Sequence, residues 1–266
     1  MKKILGKLIP QKIKTRLSSK LTQAKSYKLT FTEESFSPSS TRESDYKHQV
    51  DSNNVLYELG EKFKPTKRLP NYLIHYWKHF RDIHKRVTRV LEIGVESDKS
   101  IKMWQEFFPN AQIYGIDINP NCKAYEGGSI KIFIGDQSDE KFLQSVLQDA
   151  GGFFDVIIDD GSHRVFHQLK TFDFLFPHLT SHGVYVIEDT GACVGDTQLK
   201  TIGKVQELVK NIMYFPKDIP FSDWSKLSQF PSSSTWADRN IVGVSFYRWI
   251  CFIEKGHNPE DNSFLG

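Results

Sequence analysis

The sequence predicts an α/β fold, a doubly wound and mostly parallel seven-stranded sheet that ends in a C-terminal antiparallel hairpin. Three observations predict it. Short apolar runs alternate with helix-patterned segments from residue 71 onward, acidic residues recur where those runs end, and the last two runs, VGVSFY and ICFIEK, are separated only by Arg248 and Trp249. Short buried strands alternating with helices imply a parallel sheet covered on both faces. Strands joined by two residues must be antiparallel, because a parallel pair needs a crossover of a dozen or more residues.

The elements follow in chain order. NYLIHYWKHFRDIHKR (71–86) reads as a helix and VTRVLEIGV (87–95) as the first strand. Next come a helix over 100–108, strands over 111–118 and 129–136, a helix over 139–150, a strand over 154–160, a helix from Arg164 toward His178 and a strand over 183–189. A further helix over 196–214 leads into a loop, 214–236, whose rings include Phe221, Trp224 and Phe230; they suit either an acceptor lid or a cover for the sheet. The hairpin strands are 242–247 and 250–255. His75 and His79 have the spacing of a metal pair, but without a third ligand nearby a helix packed on the sheet explains them.

A chain of 266 residues suits one core with appendages. No apolar run approaches the roughly 20 residues of a bilayer span. Cys122, Cys193 and Cys251 form no CxxC pair, which argues against a disulfide framework or a thiolate zinc site and fits a reducing cytoplasm. Residues 1–28 carry nine basic side chains and no acidic one, so taking nine from the total of +3 leaves −6 on the rest. An acidic body disfavours nucleic acid as substrate. Residues 1–45 are expected to be a basic extension and linker, and 46–266 the catalytic domain. In the extension Ile4, Leu5, Leu8, Ile9 and Ile13 recur among lysines, a spacing that suits a solvated tail or peripheral contact with an anionic membrane. The sequence leaves open whether the chain forms a homo-oligomer.

Ligands of open parallel sheets bind at the carboxyl ends of the strands. The first strand ends in Glu92-Ile93-Gly94, where a glycine lets backbone approach a ligand; the second ends in Asp117, placed for ribose hydroxyls; the third ends in Asp136-Gln137, placed for an adenine amino group. With Asp159 these make the expected cofactor set. Glu96 and Asp98 lie where a dinucleotide's pyrophosphate would sit, so S-adenosylmethionine, which has no phosphate, suits the turn better.

The fourth strand ends in Asp159-Asp160-Gly161-Ser162-His163 and the fifth in Glu188-Asp189. Asp160, Glu188 and Asp189 would repel one another at neighbouring strand ends unless a cation neutralised them, and all-oxygen ligation selects Mg²⁺ or a similarly hard ion. Such an ion with open positions can chelate neighbouring substrate hydroxyls, and the imidazole of His163, three residues after Asp160, suits the general base.

LEIGV, WQEFFPNAQIYGIDI, GDQSD, FDVIIDDGSH, LFPHL and GVYVIEDT, spread over 87–190, closely resemble the catalytic domain of the metal-dependent sugar O-methyltransferases that act on macrolide antibiotics. The resemblance implies a Rossmann-like class I methyltransferase fold, magnesium at Asp160, Glu188 and Asp189, a histidine base at His163 and a sugar-containing acceptor. The family usually has further glycines after LEIG, where this chain has Glu96, Ser97 and Asp98. Two alternatives remain from the sequence: an iron-dependent hydroxylase-type relative resembling those of the cephamycin pathway, and a non-catalytic binding or scaffold subunit.

Overall fold

The computed structural model describes residues 53–68, 71–190, 203, 205 and 236–258. The expectations for 1–45, the fold's start near Tyr46, Cys193, the 196–214 helix apart from residues 203 and 205, and almost all of the aromatic loop lie outside them.

Among the described residues two helices come first, α1 (Val55–Phe63) and α2 (Tyr72–Phe80), separated by a short 3₁₀ turn at Thr66–Arg68. Asn54 Oδ1 caps α1 by accepting from Tyr57 N at 3.1 Å, and Lys64 ends it in a left-handed conformation. The sequence predicts one helix over 71–86, but α2 stops at Phe80, and the polar stretch after it closes in turns through Arg86 N to Ile83 O and Val87 N to Ile83 O. The alternation then runs β1 (Arg89–Ile93), α3 (Asp98–Phe107), β2 (Gln112–Asp117), β3 (Ile130–Ile134), α4 (Glu140–Ala150), β4 (Phe154–Asp159), α5 (Val165–Leu175) and β5 (Leu179–Ile187). Between β2 and β3 the crossover is a 3₁₀ segment, Pro120–Tyr125. Helix α4 shows how sequence sets bounds: Asp139 accepts from Lys141 N and Phe142 N at its start, and Gly151 ends it at φ +83. A short helix α6 (Trp236–Asn240) precedes β6 (Ile241–Tyr247) and β7 (Ile250–Lys255).

The sheet has the order β3-β2-β1-β4-β5-β7-β6. Strands β1 to β5 are parallel, and β7 pairs antiparallel with both β5 and β6 as the hairpin argument requires. Alternation along β1 divides the core. Val90 faces a layer containing Leu56, Tyr76, Trp104 and Phe252, while Leu91 and Ile93 face one containing Leu147, Phe154, Phe172 and Tyr185. Glu92 shares the face of Val90 and therefore points into the first layer. His75 stacks on Tyr247 (centroids 3.9 Å apart) and His79 on Phe252 (4.1 Å), in keeping with their reading as a packed helix face. Cys122 and Cys251 are buried free thiols. No helix among the described residues is long and apolar enough to cross a membrane.

Candidate active site

A cavity of about 500 Å³ opens along the carboxyl ends of the parallel strands. Gly94, Asp117, Asp136, Gln137, Asp160, His163 and Asp189 line it, together with Pro65 and Thr66 from the turn between α1 and α2. The crevice lies where winding reverses on either side of β1 and β4, the expected ligand position for such a sheet.

Gly94 is required at the floor. It has φ +88, and a β-carbon there would lie 2.2 Å from the Asp160 carbonyl oxygen and 2.8 Å from Gly161 Cα. Asp117 closes the turn after β1: its Oδ2 accepts from Val95 N (2.9 Å) and Glu96 N (2.8 Å), and its Oδ1 from Asn119 N (2.8 Å). Asp136 Oδ1 accepts from the Ser138 amide and hydroxyl, which lowers its pKa. Gln137 is a brace as well as a lining residue: its Oε1 accepts from Ser162 N at 2.8 Å, and its Nε2 donates to Asp159 Oδ1 and Thr171 Oγ1.

Two residues expected to meet the cofactor do not line the cavity. Both oxygens of Glu92 are committed inside the first core layer, Oε1 to Trp104 Nε1 (2.9 Å) and Oε2 to Ser100 Oγ (2.9 Å). Asp159 is fully buried beneath Gln137 and Tyr185, and burial pushes its carboxyl up to about 7. Strand alternation is the physical reason for both: the side chains of β1 and β4 point into the layers above and below the sheet, while backbone and loop residues line the end.

At the other half of the cavity, Asp160, His163 and Asp189 each offer a donor atom within 4.8 Å of the others. His163 Nε2 lies 3.6 Å from Asp189 Oδ2. His163 (φ 54) and Asp189 (φ 51) both hold left-handed backbone, uncommon away from glycine and concentrated at functional sites. The Tyr72 hydroxyl donates to Asp189 Oδ1 at 2.6 Å. His167 Nδ1 lies 2.9 Å from Ser162 Oγ, and His167 also lines the cavity.

Glu188 is not in that group of three. Its buried carboxylate accepts from the Tyr76 hydroxyl, and its Oε1 lies 3.0 Å from Lys67 Nζ. Lys67, 1% exposed, also reaches Asp160 Oδ2 at 2.5 Å and Glu92 Oε1 at 3.1 Å. Burial alone would depress the Lys67 ammonium, but Asp160, Glu188 and Glu92 override it and hold the pKa well above the ordinary lysine value. Glu188 moves up because it is buried and faces Asp160, against the pull of Lys67. The carboxylates of Asp160 and Asp189 at this spacing, with the buried Glu188 behind them, fit one hard divalent ion, and the His163 imidazole stands beside them.

Sequence reasoning missed Lys67, Tyr72 and Tyr76. The tyrosines look like ordinary core residues of an aromatic helix, and Lys67 sits in a polar stretch without periodicity. The available signal was indirect: Glu92 lies inside a buried strand, and a buried carboxylate needs a partner.

No protein-family model matches the chain. It is 38% identical over 203 residues to mycinamicin VI 2''-O-methyltransferase of Micromonospora griseorubida, covering 70% of this chain and 48% of that protein. To demethylmacrocin O-methyltransferase of Streptomyces fradiae it is 35% identical over 224 residues, covering 77% and 54%. The chain thus spans about half the length of the curated relatives it matches. Among solved structures it resembles the MycE methyltransferase of mycinamycin biosynthesis in complex with Mg and SAH, with TM-score 0.65 and 36% identity over 77% of this chain and 55% of that one.

Proposed function

Since this chain is a homologue of the macrolide-sugar O-methyltransferases and has their Rossmann-like methyltransferase fold, we propose that it methylates a hydroxyl of a sugar-containing acceptor. S-adenosylmethionine is the donor in this reading, and Asp160 and Asp189 would hold a divalent ion such as magnesium, with Glu188 joining them only by leaving Lys67 and Tyr76. The observation that carries it is the gathering of Asp160, His163 and Asp189 donor atoms within 4.8 Å at the end of a cavity floored by Gly94. When bound, the sulfonium supplies an electrophilic methyl group and the ion lowers the pKa of the acceptor hydroxyl.

The chain's own residues do the rest. His163 takes the hydroxyl proton on its imidazole, and Asp189, 3.6 Å away, stabilises the cation so formed. Tyr72 and Tyr76 orient the two carboxylates at the end of β5. Gly94 and Asp117 shape the nucleoside pocket, and Asp136 presents a carboxylate beside it. The test is transfer of a labelled methyl group to a panel of glycosylated macrolides and simpler glycosides, first with magnesium and then with a chelator. Transfer to a glycosylated acceptor that stops on chelation and returns with magnesium is expected. Turnover that persists after chelation removes the ion from the reaction, and recovery with iron alone favours hydroxylase-type chemistry. Absence of transfer to every glycoside overturns the acceptor class.

A further inference from the structure

We propose that Lys67 is a positioning residue for the metal centre: an internal cation that holds Asp160 and Glu188 in place in the metal-free protein and competes with the divalent ion for the same carboxylates. The inference rests on the metal reading above. Lysine is almost never fully buried unless paired, because a desolvated ammonium costs several kcal/mol. Here the ammonium donates to Asp160 Oδ2 at 2.5 Å and lies 3.0 Å from Glu188 Oε1 and 3.1 Å from Glu92 Oε1. The short turn that carries it also contributes Thr66 to the cavity wall, so the contact ties the segment before β1 to the ligand set.

Charge fixes the direction of the effect. Glu92, Asp160, Glu188 and Asp189 bring four carboxylates to one place, and the ammonium offsets one of them. A divalent ion arriving at Asp160 is repelled by the ammonium already beside that carboxylate, at an effective dielectric where such terms are large. Without Lys67 the same carboxylates attract the ion more strongly, while the metal-free protein is left with buried negative charge and no counter-ion.

The experiment compares Lys67→Met with the parent after chelation, at pH 8, with Mn²⁺ as the probe in calorimetric titration and in thermal melts. The variant should bind Mn²⁺ on the order of tenfold more tightly or better. Without metal it should melt below the parent, and saturating Mn²⁺ should raise its Tm more than the parent's. A lysine that merely fills space would lower the Tm and leave the Mn²⁺ affinity unchanged or weaker, and that result overturns the proposal. Should Lys67→Met fail to fold without metal, preparation in Mn²⁺ is expected to recover it; failure of both Lys67→Met and Lys67→Gln under both conditions overturns it too. A parent that binds no Mn²⁺ sinks the metal reading itself, whereas a parent that binds and a variant that binds no better sinks only the role of Lys67.

Discussion

Replacing Gly94 by alanine adds one carbon at the point where the end of β1 meets the backbone after β4. The new β-carbon would lie 2.2 Å from the Asp160 carbonyl oxygen and 2.7 Å from its carbon, and both are backbone atoms that no rotamer change can move aside. Left-handed backbone costs alanine about 1–2 kcal/mol relative to glycine. Relieving the contact needs a shift of roughly 1 Å, an overpacking cost of about 1–3 kcal/mol. The stiffer unfolded chain offsets about 0.4–1 kcal/mol, leaving a net loss of about 1–5 kcal/mol. In a domain of this size that lowers Tm by roughly 2–20 °C. Gly152→Ala is the control, because Gly152 has φ +100 and nothing within 4 Å of its added carbon, so it carries the conformational cost alone. Differential scanning fluorimetry measures both, and calorimetry measures S-adenosylhomocysteine affinity, which Gly94→Ala should weaken at least about tenfold if the wall is displaced by that distance. Equal Tm losses for the two variants, with affinity unchanged, would refute the argument that close backbone approach dictates glycine at position 94.

Two further outcomes test the site and its surroundings. His163→Ala should lower kcat by about 10²-fold while S-adenosylhomocysteine still binds, and an unchanged kcat in steady-state assays rejects the base. Burial, helped by His79 and Lys78, depresses the pKa of His75, so the unfolded chain binds more protons there than the folded one. Its contribution is present above the ordinary histidine value of about 6.5 and is lost as pH falls below it, so His75→Phe should gain Tm on the parent between pH 7.5 and pH 5. A gap that does not change with pH over that interval contradicts the assignment.

The sheet was legible because buried parallel strands are continuous apolar runs, and RVLEI, QIYGID and FDVIID show that pattern with acids at or near their ends. The hairpin was legible from the two-residue gap alone. Boundaries were less so: β5 begins at Leu179, four residues before the expected Gly183, because the polar Thr180, Ser181 and His182 extend it where pairing with β4 shifts register. At the site, the sequence names Asp160, His163 and Asp189 by position on strand ends, and the fold brings their donor atoms together. It says nothing of Lys67, Tyr72 and Tyr76, whose meaning comes from where two helices land on the sheet. Glu92 shows the converse: its place in the sequence suggests a ligand contact, while the face it occupies on β1 turns it inward to Trp104 and Ser100.

Helices α1 and α2 precede the first strand, yet their stretch supplies an ammonium and two phenols to the carboxylates at the far ends of β1, β4 and β5. The αβ winding from Arg89 onward is therefore not a detachable module. A recombinant hybrid joined just ahead of β1 would import foreign contacts to four acids at once, whereas a junction upstream of Asn54 would carry the whole arrangement across intact. Inheritance of this cluster of acids through domain shuffling has to respect that seam.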